Sequence, residues 1–356
     1  MKKNKVRFYE LDLLRFIAAM AVVMFHFLFR GQQGDWMPVS FEPLDIYARY
    51  GYLGVNLFFM ISGFVILLSA VNRSATQFVI SRVTRLYPAF WVGVTLTALV
   101  IIFFGSSLFH QITLPDYLVN LTMLAGFVGV EDVDGAYWTL YIELKFYAVI
   151  FVILLFNQIK KLEIIMIAWL VFILLSLFFP MPRIINFLLF PEWAPYFISG
   201  ASFYLLKVQG ISLLRLGILF IAFCLTLNIA VDGIAEVNAD YHIQADPMVA
   251  VLVVILFHII FTLMVFNKLS WFRSAWAVKI GALTYPLYII HQNIGYIIFT
   301  QLADVMNKYA LLLIVMIVLL ALSWLIHTRI EKKFGPKLKA FLEKILIRNN
   351  TQTKLN

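Results

Sequence analysis

The chain has 356 residues, 63% of them hydrophobic and 13% charged, with a formal net charge of +9. A soluble domain of that size would be roughly 45–50% apolar, so a soluble globular protein is excluded. One cysteine excludes an intramolecular disulfide and argues against a thiolate metal site, and the basic residues are scattered over short connections rather than gathered into a nucleic-acid-binding face.

Runs of eighteen or more residues with few charges predict transmembrane helices, and no stretch alternates as barrel strands do. The reading is an all-α, polytopic integral membrane protein of about ten spans: 11–29, 51–71, 87–105, 137–157, 163–179, 184–206, 212–230, 248–267, 281–301 and 309–328. No repeat and no separate soluble domain is visible. Residues 1–335 read as one transmembrane domain and 336–356 as a basic tail. Of the 28 Lys and Arg, 22 fall on the N-terminal side of these spans; Arg30, Arg49, Arg183 and Lys308 fall on the other. Positively charged loops stay inside, which places both termini in the cytoplasm.

The first span, LDLLRFIAAMAVVMFHF (11–27), carries Arg15 and His26. Ala19-Met20-Ala21 resembles a signal-peptidase site but sits in mid-run, so the span reads as retained. Eleven residues turn a helix about 20° past three full turns and rise roughly 16 Å, so both side chains lie on one face. Snorkelling of Arg15 and interfacial bonding of His26 is the plain alternative. Their shared face points instead to a polar tunnel along this helix.

Span two, GYLGVNLFFMISGFVI (51–66), holds Asn56, Ser62 and Gly63; small residues there serve packing, while Asn56 and Ser62 read as cavity lining. SRVTRLYPAFW (81–91) places Arg82 and Arg85 on one helical face ahead of Tyr87 and Pro88. These are either positive-inside anchors with an aromatic belt, or a guanidinium clamp for a phosphorylated ligand, with Arg15 as a third cation.

Span four, YWTLYIELKFY (137–147), brings Glu143 to the depth of His26, where a carboxylate could fix the imidazole tautomer. A charge pair with other helices is the alternative for Glu143 and Lys145. PEWAPYF (191–197) adds Glu192 to span six, and His258 reads as a core histidine of span eight. In span nine, LTYPLYIIHQN (283–293), Pro286 interrupts the hydrogen-bond ladder, and His291 and Gln292 read as cavity lining. Two outer loops carry Asp116, Glu131, Asp132 and Asp134, and Asp232, Glu236, Asp240 and Asp246. That acidic rim suits a neutral polar acceptor such as a sugar better than an anion.

Five segments, in order, resemble the signature of the acyltransferase-3 family of membrane acyltransferases: LDLLRFIAAMAVVMFHF with its Arg-x10-His pattern, GYLGVNLFFMISGFVI, SRVTRLYPAFW, YWTLYIELKFY and YPLYIIHQ. The resemblance runs from about residue 8 to 333. It implies a multi-pass protein of a bacterial inner membrane. Such a protein moves an acyl group, commonly acetyl, from cytoplasmic acyl-CoA to a hydroxyl of a glycan or lipid-linked glycan. It implies His26 as catalytic base, Arg15 in donor binding, and functional positions at Arg82, Arg85, Tyr87 and Glu143. Asn56 departs from the acidic residue many relatives carry there, and no periplasmic esterase-like domain is appended.

The expectation is therefore an O-acyltransferase with His26 and Glu143 catalytic and Arg15, Arg82, Arg85 and Tyr87 on acyl-CoA. Asn56, Ser62, His291 and Gln292 would lie on the acceptor, with no metal and no nucleic acid. Membrane lipids surround it, and a homo-oligomer is allowed. A transporter or flippase for a sugar-containing substrate is the rival. Transporters commonly show inverted repeats with matched broken helices, which this sequence lacks. A membrane sensor with a structural polar core is the other.

Overall fold

A computed structural model describes residues 8–269 and 274–347. Lys2, Lys3, Lys5, Arg7, Arg273, Arg348 and Lys354, counted above for orientation, lie outside them, as does the tail from 348 onward. The described residues are helical and contain no strand, and seven helices are long and apolar enough to cross a membrane. The chain is a polytopic membrane protein of all-α class. Backbone polar groups in hydrocarbon must be satisfied within their own segment, which is why the apolar runs become helices.

The helices used below are α1 (Tyr9–Phe25), α2 (Leu53–Ala70), α3 (Ala75–Phe104), α4 (Leu114–Asn120), α5 (Trp138–Leu155), α6 (Leu162–Ser176), α7 (Ala194–Gln209), α8 (Leu213–Tyr241), α9 (Pro247–Val265), α10 (Ala275–Gly281), α11 (Thr284–Ile290), α12 (Gln292–Leu302), α13 (Lys308–Leu325) and α14 (Lys332–Leu346). Seven of the ten expected spans are occupied by helices of at least 18 residues. The other three positions hold the 15-residue α6, the 16-residue α7, and α11 and α12 of 7 and 11 residues.

Three expected boundaries move. Span six, expected over 184–206, is broken: a short helix Arg183–Leu189 ends at Phe190, which adopts φ 33°, and α7 starts at Ala194. Pro191 disfavours helix at the residue before it, and Pro195 suits the first turn of α7. Span seven does not stop at 230. Helix α8 continues to Tyr241, so Asp232, Glu236 and Asp240 lie on its end and not in a loop. Hydropathy falls there, but no breaker ends the hydrogen-bond ladder. Finally, the helix from Lys308 runs to Leu346 without interruption at 335/336, where the tail was expected to begin.

That last helix packs on α3 through Gly335. A Cβ there would lie 3.2 Å from the Thr84 carbonyl oxygen. Pro88, inside α3, has no N–H to offer Thr84 four residues back, so this is the carbonyl the proline leaves free. The end of the bundle bearing Arg82, Arg85 and the lysines of α14 is called the basic end below.

The core is centred on α2, which lies against α1 and α7. Between membrane helices contact depends on close packing, not on hydrophobic expulsion from water. A Cβ on Gly63 would sit 2.1 Å from the Phe197 carbonyl oxygen, and one on Gly200 would sit 1.9 Å from that of Met60. The two glycines let the α2 and α7 backbones touch reciprocally. Gly200→Ala is expected to destabilise the protein by about 1–3 kcal/mol, as overpacked sites do. A drop in Tm in detergent checks this; an unchanged Tm would mean the two helices part at no cost.

Candidate active site

The three arginines converge. Arg82 and Arg85 are three residues apart on α3, about 60° around the helix from one another. Together with Arg15 of α1 they line a cavity of about 40 Å³ at the basic end. A second cavity, of about 60 Å³, shares Arg15, Ser62, Glu143 and Tyr285 with the first and continues past Thr139 to Tyr288. The two adjoin through these shared residues and are together called the passage below; Val55, Phe58, Phe59 and Ser62 of α2 line the second. Those positions are i, i+3, i+4 and i+7, one stripe of a helix.

Beyond Tyr288 lies a pair of histidines. The His26 and His291 rings meet edge to face at 4.9 Å between centroids. Both residues are buried. His291 Nδ1 is 2.7 Å from the Tyr288 carbonyl oxygen. A carbonyl only accepts, so Nδ1 carries the proton and Nε2 keeps its lone pair. That Nε2 is buried without a hydrogen-bond partner. His258 differs: its two nitrogens face the Val254 carbonyl at 2.9 Å and the Ser199 hydroxyl at 3.2 Å, a satisfied core histidine.

His26 Nδ1 lies 3.0 Å from the Tyr296 hydroxyl. Helix α1 changes character at His26: residues His26–Arg30 are π-helical, the Gly31 N–H reaching back to the His26 carbonyl. Such single-turn widenings recur at functional sites. Gly31 is required here, because a Cβ would lie 2.9 Å from both that carbonyl oxygen and the Tyr296 ring.

Comparison with known proteins decides the family. The profile of the family described as an acyltransferase domain (Acyl_transf_3) matches residues 8–328. The chain belongs to this acyltransferase family. It is 29% identical over 160 residues to "Nodulation protein 10" of Rhizobium leguminosarum bv. viciae, covering 38% of this chain and 41% of the relative. It is 27% identical over 132 residues to "Putative acetyltransferase ORF330" of Acidianus two-tailed virus, covering 36% of each. The chain thus spans less than half the length of both relatives. No solved structure matches.

In this acyltransferase-family chain, several positions stand elsewhere than the sequence implies. Glu143 does not meet His26; it accepts a hydrogen bond from the Ser62 hydroxyl at 2.7 Å, in the passage wall beside Arg15. Tyr87 donates to the Thr122 carbonyl at 2.8 Å. Two residues from Arg85 is a 200° turn, so it faces the other way. Asn56 is buried but absent from the passage lining; 100° around α2 from Val55, it lies against Tyr196 of α7. Pro286 does not break α11, because it sits in the first turn, where its missing N–H costs nothing; the breaks fall at Ala282–Leu283 and at His291. Lys145 places its ammonium 4.1 Å from the Phe187 ring centroid, and Glu192 is exposed.

Gln292 is where the sequence places it, buried beside His291, its amide oxygen 3.4 Å from Arg30 Nη1. Tyr288, Tyr296 and Trp36 are additional. Tyr288 stands within the YPLYIIHQ segment; Tyr296, five residues past His291, and Trp36, in a loop, carry no spacing signal.

The far end is acidic because the segment after α3 folds back along it. Tyr117 meets Thr95 at 2.8 Å, and Trp91 donates to the Leu121 carbonyl at 3.0 Å. Asn120 then ties the returning segment, donating to the Glu131 carbonyl and accepting from the Val133 amide. Burial, with the nearby Asp134 and Glu131 carboxylates, pushes Asp132 up to about 7. Its carboxylate also accepts from the Tyr141 hydroxyl. Burial likewise pushes Asp134 up to about 7, against amide bonds from Asn293 and Ala136.

A carboxyl whose folded value exceeds its unfolded one holds its proton in the folded state between about pH 4 and 7, so stability falls as pH rises through that window. Asp132→Asn is expected to flatten this fall, read as the change in Tm from about pH 4.5 to about pH 7.5. Parallel curves for variant and wild type would contradict the burial argument.

Proposed function

We propose that the protein is an acyl-CoA-dependent O-acyltransferase of a bacterial inner membrane, with its basic end in the cytoplasm. It passes an acyl group, acetyl in the simplest case, to a hydroxyl of a glycan or lipid-linked glycan. The observation that carries the reading is that three arginines line one end of a narrow passage and Tyr288, at its other end, is in ring contact with His291 of the buried histidine pair. The CoA phosphates dock on Arg82, Arg85 and Arg15, where guanidinium groups offer charge-assisted bonds. The pantetheine arm lies in the passage, which suits a slender chain, and the thioester reaches His26. CoA itself is too charged to cross the bilayer, so a passage that admits only its arm solves the transfer.

His26 takes the proton of the acceptor hydroxyl as that oxygen attacks the thioester carbonyl. The C–S bond breaks and the CoA thiolate recovers the proton from the imidazolium. Transient acylation of His26 is the two-step version of the same reaction. Tyr296 orients His26 through Nδ1, the part first expected of Glu143. The open lone pair on His291 Nε2 would accept from a second, neighbouring hydroxyl of the acceptor.

Inverted membrane vesicles fed radiolabelled acetyl-CoA test the reading. Label is expected in the glycan or lipid-linked fraction with wild type and not with His26→Ala. Absence of both label and acetyl-CoA binding would overturn it and favour the transporter.

A further inference from the structure

The last helical run, Lys308–Leu346, is 39 residues long. At 1.5 Å per residue it measures about 58 Å, roughly twice the thickness of the hydrocarbon. Helix α13 supplies the apolar crossing, so α14 stands at the membrane surface of the basic end. Its sequence, KKFGPKLKAFLEKIL, divides into an apolar and a basic side. Phe334, Leu338 and Phe341 are at i, i+4 and i+7, one stripe of the helix. With Pro88 and Trp91 of α3 they line a groove of about 490 Å³. That is room for a ligand, in the range of about 300–1,000 Å³ that binding pockets occupy. Trp91, Phe334 and Phe341 are 42%, 52% and 59% exposed, so the groove opens to its surroundings.

Charge lies on one lip of this groove. Lys333, Lys337 and Lys344 fall within about 40° of one another around α14, and Lys337 is about 40° from Phe341. All three lysines are exposed, and Lys337 itself joins the groove lining. Its ammonium stands 5.7 Å from the Phe334 ring centroid. The two carboxylates of this stretch are engaged elsewhere. Glu343 pairs with Lys339 at 3.7 Å, and Glu331 with His327 at 2.6 Å.

An apolar slot with ammonium groups along one lip matches a molecule with an alkyl chain and a negative head. A zwitterionic head brings its own cation to these lysines and gains less from them. Residues 348–356 of the chain, RNNTQTKLN, are polar and add Arg348 and Lys354, so they complement neither part of the groove. We propose that the groove between α3 and α14 is a binding site for an anionic glycerophospholipid. One acyl chain lies along Trp91, Phe334 and Phe341, and the phosphate sits on Lys333 and Lys337. Lys344 adds to the same field. The site uses none of the arginines, the passage or the histidines, and it does not rest on the acyl-transfer reading.

Trp91 serves as the reporter, because a brominated acyl chain quenches an indole only at contact. The full chain is reconstituted in phosphatidylcholine nanodiscs with increasing fractions of chain-brominated phosphatidylglycerol or chain-brominated phosphatidylcholine. The Trp91 signal is the difference between wild type and Trp91→Phe. Half-maximal quenching is expected at about a tenfold or more lower fraction of the phosphatidylglycerol. Lys333→Gln/Lys337→Gln is expected to bring the two lipids together. Lys332→Gln/Lys339→Gln removes the same charge about 140–160° round the helix from Lys337 and is expected to keep the preference. Unchanged thermal unfolding reports that the variants fold. Should Trp91→Phe not fold, native mass spectrometry counts the phosphatidylglycerol and phosphatidylcholine retained by wild type and by both double variants.

Equal quenching by the two lipids would overturn the proposal, leaving a groove that takes chains without reading heads. Equal loss of preference in both double variants would overturn it as well, since a diffuse basic surface behaves that way. Absence of Trp91 quenching by either lipid would mean that protein covers the groove. Each of these results leaves the acyl-transfer reading where its own vesicle assay puts it.

Discussion

His26→Ala is expected to lower the turnover of acyl transfer by about 10²–10⁴-fold, the usual contribution of a positioned general base. Acetyl-CoA affinity should change little, since Arg15 lies about 16 Å away, eleven residues down α1, and Arg82 and Arg85 line the same cavity as Arg15. The geometry supports a loss in turnover and not in binding. His26 is buried, engaged at Nδ1 by Tyr296 and in ring contact with His291. A loss confined to the chemical step lowers kcat and kcat/KM together. Tyr296→Phe removes only the bond that orients the ring, and its effect should be smaller and in the same direction. The measurement is steady-state transfer of label from acetyl-CoA in vesicles, with donor binding measured separately. Full turnover in His26→Ala would remove the residue from the mechanism.

The second large effect is on the donor. Arg82→Ala and Arg85→Ala are each expected to raise the KM for acetyl-CoA by roughly 10–100-fold, the equivalent of a charge-assisted bond of about 1.5–3 kcal/mol. The two should not be equal. Arg82 is partly buried, and its Nε has no partner in the absence of ligand. Its guanidinium stands over Phe78 and Tyr147 at 5.8 and 5.9 Å. Arg85 is exposed, where water and salt screen its charge. Arg82→Ala should therefore show the larger effect and the smaller salt dependence. Turnover at saturating donor should be nearly wild-type in both. A fall in kcat at unchanged KM would place these arginines at the reacting atoms and not at the phosphates. Arg82→Lys is informative as well, because a point charge cannot reproduce a planar fork.

The sequence by itself determined the solvent, the class of fold and the axis of the site. Length and hydropathy demand helices in lipid, because nothing else satisfies the backbone there. Helical periodicity alone put Arg15 and His26 on one face and Arg82 beside Arg85, and a few polar residues in apolar runs marked the passage, since lipid does not tolerate them without cause. What periodicity cannot supply is the height at which one helix meets another. Glu143 was expected at the depth of His26 because each was placed by counting residues from the end of its own helix, but packing seats the carboxylate beside Arg15 and Ser62. Tyr296 and Trp36 became partners of the site only through contacts across 260 or more residues of chain, which no local pattern encodes. The break at His291, with its proton committed to the Tyr288 carbonyl and its second nitrogen left open, likewise depends on how α11 and α12 are seated. Single helices follow from short-range sequence; registers between helices follow from packing, from contacts as specific as Gly63 and Gly200 against opposing backbone.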